Sequence, residues 1–171
     1  MLAQITRLFR HRWADDAHRA IAPDAMQRLT RHVADSERTH SGQIRICIEA
    51  GLPTSYLLRP DSLPALARQR ALAQFGKLRV WDTEHNNGVL IYLLLAEHAI
   101  ELVADRGLNQ RVPHAAWAAM VQRLGTALRE RSFEDALVQA VDEVSLVLRT
   151  HFPLAAGQHN ANELPNTPVL Q

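Results

Sequence analysis

Two short polar stretches of this 171-residue chain carry the side chains able to do chemistry. The first holds Asp82, Glu84, His85, Asn86 and Asn87; the second holds Asp105, Arg106, Asn109 and His114. Carboxylate, imidazole and amide groups together make a ligand set for a divalent ion, and an arginine near a histidine suits an anion. Asp82, Glu84, His85, Asn86, Asp105 and Asn109 are therefore the candidate metal ligands, with Arg106 and His114 as candidate anion contacts. With a metal-activated water, and Asp105, Glu84 or His85 as ligand or base, such a set could hydrolyse a phosphomonoester. The plainer alternative is turn chemistry. Asx residues before a glycine make ordinary turns, and Asp105-Arg106-Gly107 can be a turn closed by a local ion pair. No GxSxG, P-loop or dinucleotide-binding glycine pattern occurs, which disfavours those catalytic and nucleotide classes.

The elements around these stretches decide whether they can meet. Gln43 to Glu49 alternates Ile44, Ile46 and Ile48 with Arg45 and Cys47, the period of a half-buried strand. Gly88 opens a continuous apolar run from Val89 to Leu95, expected of a central strand covered on both faces. Ala96 and Glu97 form a credible tight turn, and residues 98–104 alternate again as an antiparallel neighbour. The open end of that hairpin would bring Asn86 and Asn87 beside Asp105 and Arg106.

Helices account for most of the remainder. One is expected from Pro23 to about His40, with Met26, Leu29 and Val33 inward. Another starts near Leu63, capped by Asp61 or Ser62, with Leu66, Ala71 and Phe75 inward. A third covers residues 113–131, with an apolar stripe through Trp117, Met120, Val121, Leu124 and Leu128. Ser132 caps a fourth, with Asp135 as its capping-box acid and Leu137, Ala140, Val141, Val144 and Leu148 buried. A strand–helix–strand unit plus a hairpin, with helices on both sides, gives an α/β class: a small mixed sheet sandwiched between helices.

Composition narrows the function classes. The chain is 47% hydrophobic and 22% charged, a balance that supports one globular core and argues against disorder. Nineteen basic against eighteen acidic side chains leave a formal charge of +1, so nothing electrostatic favours nucleic acid as a partner. Cys47 is the single cysteine, which rules out an internal disulfide, and its place in an apolar strand marks it as a buried hydrophobe. His11, His18, His32 and His40 form no metal-type pairing and read as surface residues.

The ends of the chain carry separate expectations. Leu2, Ile5, Leu8, Phe9 and Trp13 recur on one face of a short amphipathic helix, with Arg7, Arg10 and His11 on the other. That face must be received by something, either the protein or a partner, or an anionic lipid surface. With only three arginines behind the lipid reading, protein is the favoured receiver. Residues 1–20 are thus a helix and linker, residues 21–152 the domain, and residues 153–171 a mobile tail holding Glu163 as its only charge. No apolar run reaches the roughly 18 to 20 residues of a membrane span, and no signal-peptide pattern opens the chain. The cytoplasm is the default compartment, with the inner membrane surface as a peripheral site in the lipid reading.

Ser41-Gly42-Gln43-Ile44, then Asn86-Asn87-Gly88-Val89-Leu90, then Asp105-Arg106-Gly107-Leu108 resemble in order the landmarks of the TPM-domain family. Members usually show Thr-Gly before the first strand, Asp-Asn-Gly-Val-Leu entering the central strand, and Gly-Tyr-Gly-Leu-Glu after the hairpin. Val112-Pro113 and Arg131-Ser132-Phe133 also sit where the family would place them, so that the likeness spans roughly Ile21 to Leu148. The resemblance implies an α/β/α sandwich. It further implies an accessory role at membrane complexes, an acid phosphatase activity proposed for some members, and a bound divalent cation such as Ca2+ in others. Here Asn86 and Asn109 replace two of the family's acids, Arg106 its tyrosine and His114 another acid. An asparagine carbonyl can ligate a cation but carries no charge and cannot act as a base. These departures point to a noncatalytic accessory or interaction module that requires no cofactor. The alternatives are a divalent-metal phosphatase and a peripheral membrane binder.

Overall fold

The structure is a computed structural model that describes His11, Ala17 and residues 21–171. Leu2, Ile5, Leu8, Phe9 and Trp13, the apolar face expected of the first helix, lie outside the described residues. Helix α1 (Pro23–Glu37) begins with proline in its first turn and buries Ala25, Leu29 and Val33 on one side. Strand β1 (Gln43–Glu49) follows, then a short helix α2 (Thr54–Leu57) within what reads in sequence as loop. Helix α3 (Leu63–Lys77) starts at Ser62, whose Oγ accepts the Ala65 N–H at 3.4 Å.

Strand β2 (Gly88–Leu94) is central and wholly buried. A 3-10 turn, Leu95–Glu97, and His98 at φ 46° reverse the chain into β3 (Ala99–Ala104). Helix α4 (Arg106–Asn109) is one turn long; α5 (His114–Glu130) and α6 (Phe133–His151) are the long closing helices. The Ser132 hydroxyl accepts the Asp135 N–H at 3.1 Å and donates to the Asp135 carboxylate at 2.7 Å, the reciprocal cap read from sequence.

Strand order is β3-β2-β1-β4, with β4 (Val169–Leu170) at the far edge. β1 and β2 are parallel, Ile44 opposite Val89, and β2 and β3 antiparallel, Val89 opposite Ala104. The pleat sends Ile44, Ile46, Ile48, Val89, Ile91, Leu93, Ile100 and Leu102 to the side where α1, α5 and α6 pack. Cys47, Leu90, Tyr92, Leu94 and Val103 face α3 through Leu66, Ala67 and Ala71. Helices therefore cover both faces, as the apolar central strand requires.

Three expectations need correction. Residues 153–171 are not a loose tail in this structure. Leu164 is 6% exposed, and β4 pairs in parallel with β1 at Cys47 and Ile48. Polar side chains do the joining: Arg45 donates to the Pro165 and Thr167 carbonyls, and Asn160 donates to those of His40 and Gly42. β1 is consequently buried along its whole length rather than on one face. His11 and His40, read as surface residues, are 6% and 0% exposed. His11 Nδ1 accepts the Leu52 N–H at 3.0 Å and its Nε2 lies 2.9 Å from Glu97, while a Cβ on Gly51 would sit 2.6 Å from the His11 carbonyl. Together with the fully buried Ala17, these contacts seat two points of the N-terminal segment on the domain itself. Cys47 is buried, as its strand position suggests, and burial pushes its thiol up to about 12.

Candidate functional site

The hairpin's open end does gather part of the expected constellation. Antiparallel pairing carries Asp105 beside the start of β2, where its N–H donates to the Gly88 carbonyl at 2.9 Å. Asp105 is also the N-cap of α4: one carboxylate oxygen accepts the Arg106 N–H at 2.7 Å. Arg106 then reaches back across the hairpin and donates from Nε to Asn86 Oδ1 at 2.8 Å. Asn86 sits in the left-handed region at φ 52°, a conformation that asparagine tolerates better than most residues, and its carbonyl accepts the Gly107 N–H at 2.9 Å. Asn109 donates from Nδ2 to the Ala104 carbonyl at 2.7 Å. The loop before β2 and the turn after β3 are thereby stitched to each other.

Gly107 makes that stitch possible. A Cβ there would fall 2.6 Å from the Asn86 carbonyl oxygen and 2.8 Å from that of His85, both backbone atoms. Gly107→Ala is expected to cost about 1–3 kcal/mol by forced displacement of the loop. Urea denaturation reads the loss, and amide shifts at 85–87 report the movement. Unchanged stability and unmoved amides would show that the two backbones are not in this close contact.

The remaining candidates lie elsewhere. Asp82 is exposed and pairs with Arg79 at 2.6 Å. Glu84 and His85 are exposed and line a cleft of about 210 Å³ with Ser41, Glu163 and the C-terminal segment. His114 lines a different cavity, of about 320 Å³, with Trp117, Arg68 and Glu101. Asn87 sits at the hairpin end, as the hairpin reading expects, although it was not among the candidate ligands. It is fully buried, its N–H donates to Thr83 Oγ1 at 3.1 Å, and its Nδ2 lies 3.4 Å from Ser41 Oγ. Sequence reasoning also passed over Glu37 and Glu49, whose signal was an acid beside or within an apolar strand.

The donor set at the hairpin end does not fit a hard dication. Calcium takes about six to eight oxygens, several of them usually carboxylate. Here Asp105 supplies the one buried carboxylate, and one of its oxygens already accepts a backbone N–H. Asn86 Oδ1 is taken by a guanidinium whose fixed charge would repel a metal ion. Asp105 Oδ2 and Asn87 Oδ1 are buried without a protein donor. Among the described residues, no three His, Cys, Asp or Glu side chains gather closely enough to hold a metal ion. Among the described residues, likewise, no helix is long and apolar enough to cross a membrane.

Comparison with known proteins places this arrangement. A family model described as the TPM domain matches residues 14–147. BA42 from the psychrophilic bacterium Bizionia argentinensis, solved by NMR, is similar at a TM-score of 0.70 and 23% identity, over 87% of this chain and 94% of that one. The N-terminal domain of a P. gingivalis protein, also solved by NMR, is similar at 0.55 and 17% identity, over 81% and 84%. At such identities the likeness to these structures is one of fold. No curated protein matches the chain.

Proposed function

The chain belongs to the TPM-domain family, and from that premise we propose that it is a noncatalytic accessory or interaction module. The carrying observation is the stitch at the hairpin end. Arg106 is bonded to Asn86, and Asp105 serves as a helix cap. The resemblance places acids at the positions of Asn86 and Asn109; this chain puts amides there, of which Asn86 accepts from Arg106 across the hairpin end and Asn109 donates to the Ala104 carbonyl. An asparagine cannot take a proton from an attacking water, and a capping aspartate bonded to a backbone N–H is held in a structural role.

One observation favours a hydrolase instead: Asp105 Oδ2 is buried and has no protein partner. A single assay separates the two readings. Purified chain is given p-nitrophenyl phosphate with calcium, magnesium or zinc in turn, from acidic to neutral pH. The expected result is no turnover beyond that of Asp105→Asn, a variant that keeps an acceptor for the Arg106 N–H. Saturable, metal-dependent hydrolysis that disappears in Asp105→Asn would overturn the noncatalytic reading.

A further inference from the structure

Residues 160–171 run along the edge of β1, and the domain holds them as a groove holds a peptide. Every hydrogen bond made by the side chains of Gln43, Arg45 and Gln74 ends on this segment. Gln43 and Gln74 are fully buried, and Arg45 is 9% exposed. Gln43 donates to Asn160 Oδ1 and accepts the Leu164 N–H at 3.1 Å. Arg45 donates to the Pro165 carbonyl and, at 2.6 Å, to that of Thr167. Gln74, on α3, pairs amide to amide with Gln171 at 2.7 and 3.3 Å. The Ile48 carbonyl accepts the Gln171 N–H at 2.9 Å, and the Ala50 N–H donates to the Gln171 carbonyl at 3.0 Å. Most of these bonds end on main-chain atoms, which any sequence offers. Leu164 supplies the apolar anchor, buried in the cluster that holds Cys47, Leu66 and Tyr92. Main-chain bonds that hold and a side-chain pocket that selects are the features of strand addition.

We propose that this edge is a docking site for an extended, acidic, leucine-bearing segment of a partner protein, and that residues 160–171 occupy it in cis until such a segment displaces them. Charge complementarity names the occupant. Arg45 is a buried charge that faces two carbonyls and, among the described residues, pairs with no carboxylate. Glu49, the acid at the end of the same strand, is held by Arg70 and Tyr92. A carboxylate on an incoming segment would give the Arg45 guanidinium a charge-assisted bond, stronger than one to a neutral carbonyl. The resident segment is also built to leave as a unit. Apart from Leu164 and Pro168 none of its residues is buried, and its paired strand is two residues long. Residues 155–159, which tether it to α6, are all exposed, with Gly157 at φ 82° among them. The inference gives the interaction module proposed above a docking edge. It rests on that reading for its role only, since its observations lie apart from the hairpin end.

The test uses the full chain with synthetic peptides of residues 160–171, followed by NMR and fluorescence anisotropy. In the Leu164→Ala chain the tethered segment loses its anchor, so the free peptide is expected to bind saturably. The shifts should fall at the Ile48 and Ala50 amides and the Arg45 side chain, with the spectrum of the folded domain retained. The unaltered chain should bind the peptide about tenfold more weakly or worse, because its own segment competes at high effective concentration. A peptide carrying Leu164→Ala should lose about tenfold or more, since the anchor pocket stays empty. A peptide carrying Thr167→Glu should bind about fivefold tighter, an advantage that salt reduces and that Arg45→Met in the chain removes. The peptide substitutions leave the fold of the chain untouched. No binding to the Leu164→Ala chain, or equal binding of peptides with and without the leucine, would overturn the proposal. No gain from Thr167→Glu would overturn the acidic partner. Self-association of the Leu164→Ala chain that the peptide reverses would assign the edge to a second copy of this chain instead. None of these failures touches the p-nitrophenyl phosphate assay, which decides the noncatalytic reading by itself.

Discussion

Arg70→Ala is expected to destabilise the chain by about 3–5 kcal/mol, the cost of leaving one member of a buried ion pair alone. Glu49, the last residue of β1, is 4% exposed, and Arg70 from α3 holds it with Nε at 2.9 and 3.1 Å and Nη2 at 2.7 Å. The Tyr92 hydroxyl donates to the same carboxylate at 2.6 Å. Burial, and then the charge of Glu49, push the Tyr92 phenol far above its usual range, so it stays a donor at any working pH. Without the guanidinium, Glu49 keeps a single hydrogen bond for a charge in a low-dielectric site. Arg70→Lys should recover only part of the loss because an ammonium cannot reproduce the fork. Combining Arg70→Met with Glu49→Gln should recover more, by removing both charges at once. Urea denaturation of the four proteins measures this. An Arg70→Ala midpoint equal to that of the parent would show that Glu49 does not depend on this pair.

Deleting residues 160–171 is the second large effect. Leu164 loses its burial, worth about 1.5–3 kcal/mol, and each hydrogen bond from Gln43, Arg45 and Gln74 to the segment adds about 1 kcal/mol. A total loss of about 3 kcal/mol or more is expected in denaturation. The deletion also uncovers the edge of β1, whose Ile48 carbonyl and Ala50 N–H now bond to Gln171. An open edge of this kind templates pairing with another chain, so sedimentation velocity should show concentration-dependent association that the full chain lacks. A truncated protein of unchanged stability and unchanged association would mean that the segment contributes little to holding the sheet.

Local signals in the chain are strong where one residue type dictates one backbone state. The strand at Gln43–Glu49, the apolar run of β2 and the Ser132–Asp135 cap are all present in the structure. Each rests on interactions within a few residues, and the α/β/α class follows once the apolar central strand must be covered twice. The meeting of Asn86 with Asp105 and Arg106 was also legible, because hairpin register alone places them together.

What escaped the sequence depends on distant partners. The C-terminal segment looked mobile because it is polar and rich in Asn and Pro. Its fold comes instead from hydrogen bonds that span more than a hundred residues of sequence, such as Asn160 to His40 and Arg45 to Thr167. The same holds for Asp82, Glu84, His85 and His114. Their types suggested one site, yet loop geometry sends them to separate clefts or to solvent. Residue type and local spacing thus settled the family, the layers and the hairpin end. Tertiary packing alone decided which polar groups are spent on one another, and which, such as Asp105, are left buried with an acceptor unpartnered. The reason is physical. A hydrogen bond's worth depends on burial and on what else is within reach, and neither is written in the local sequence.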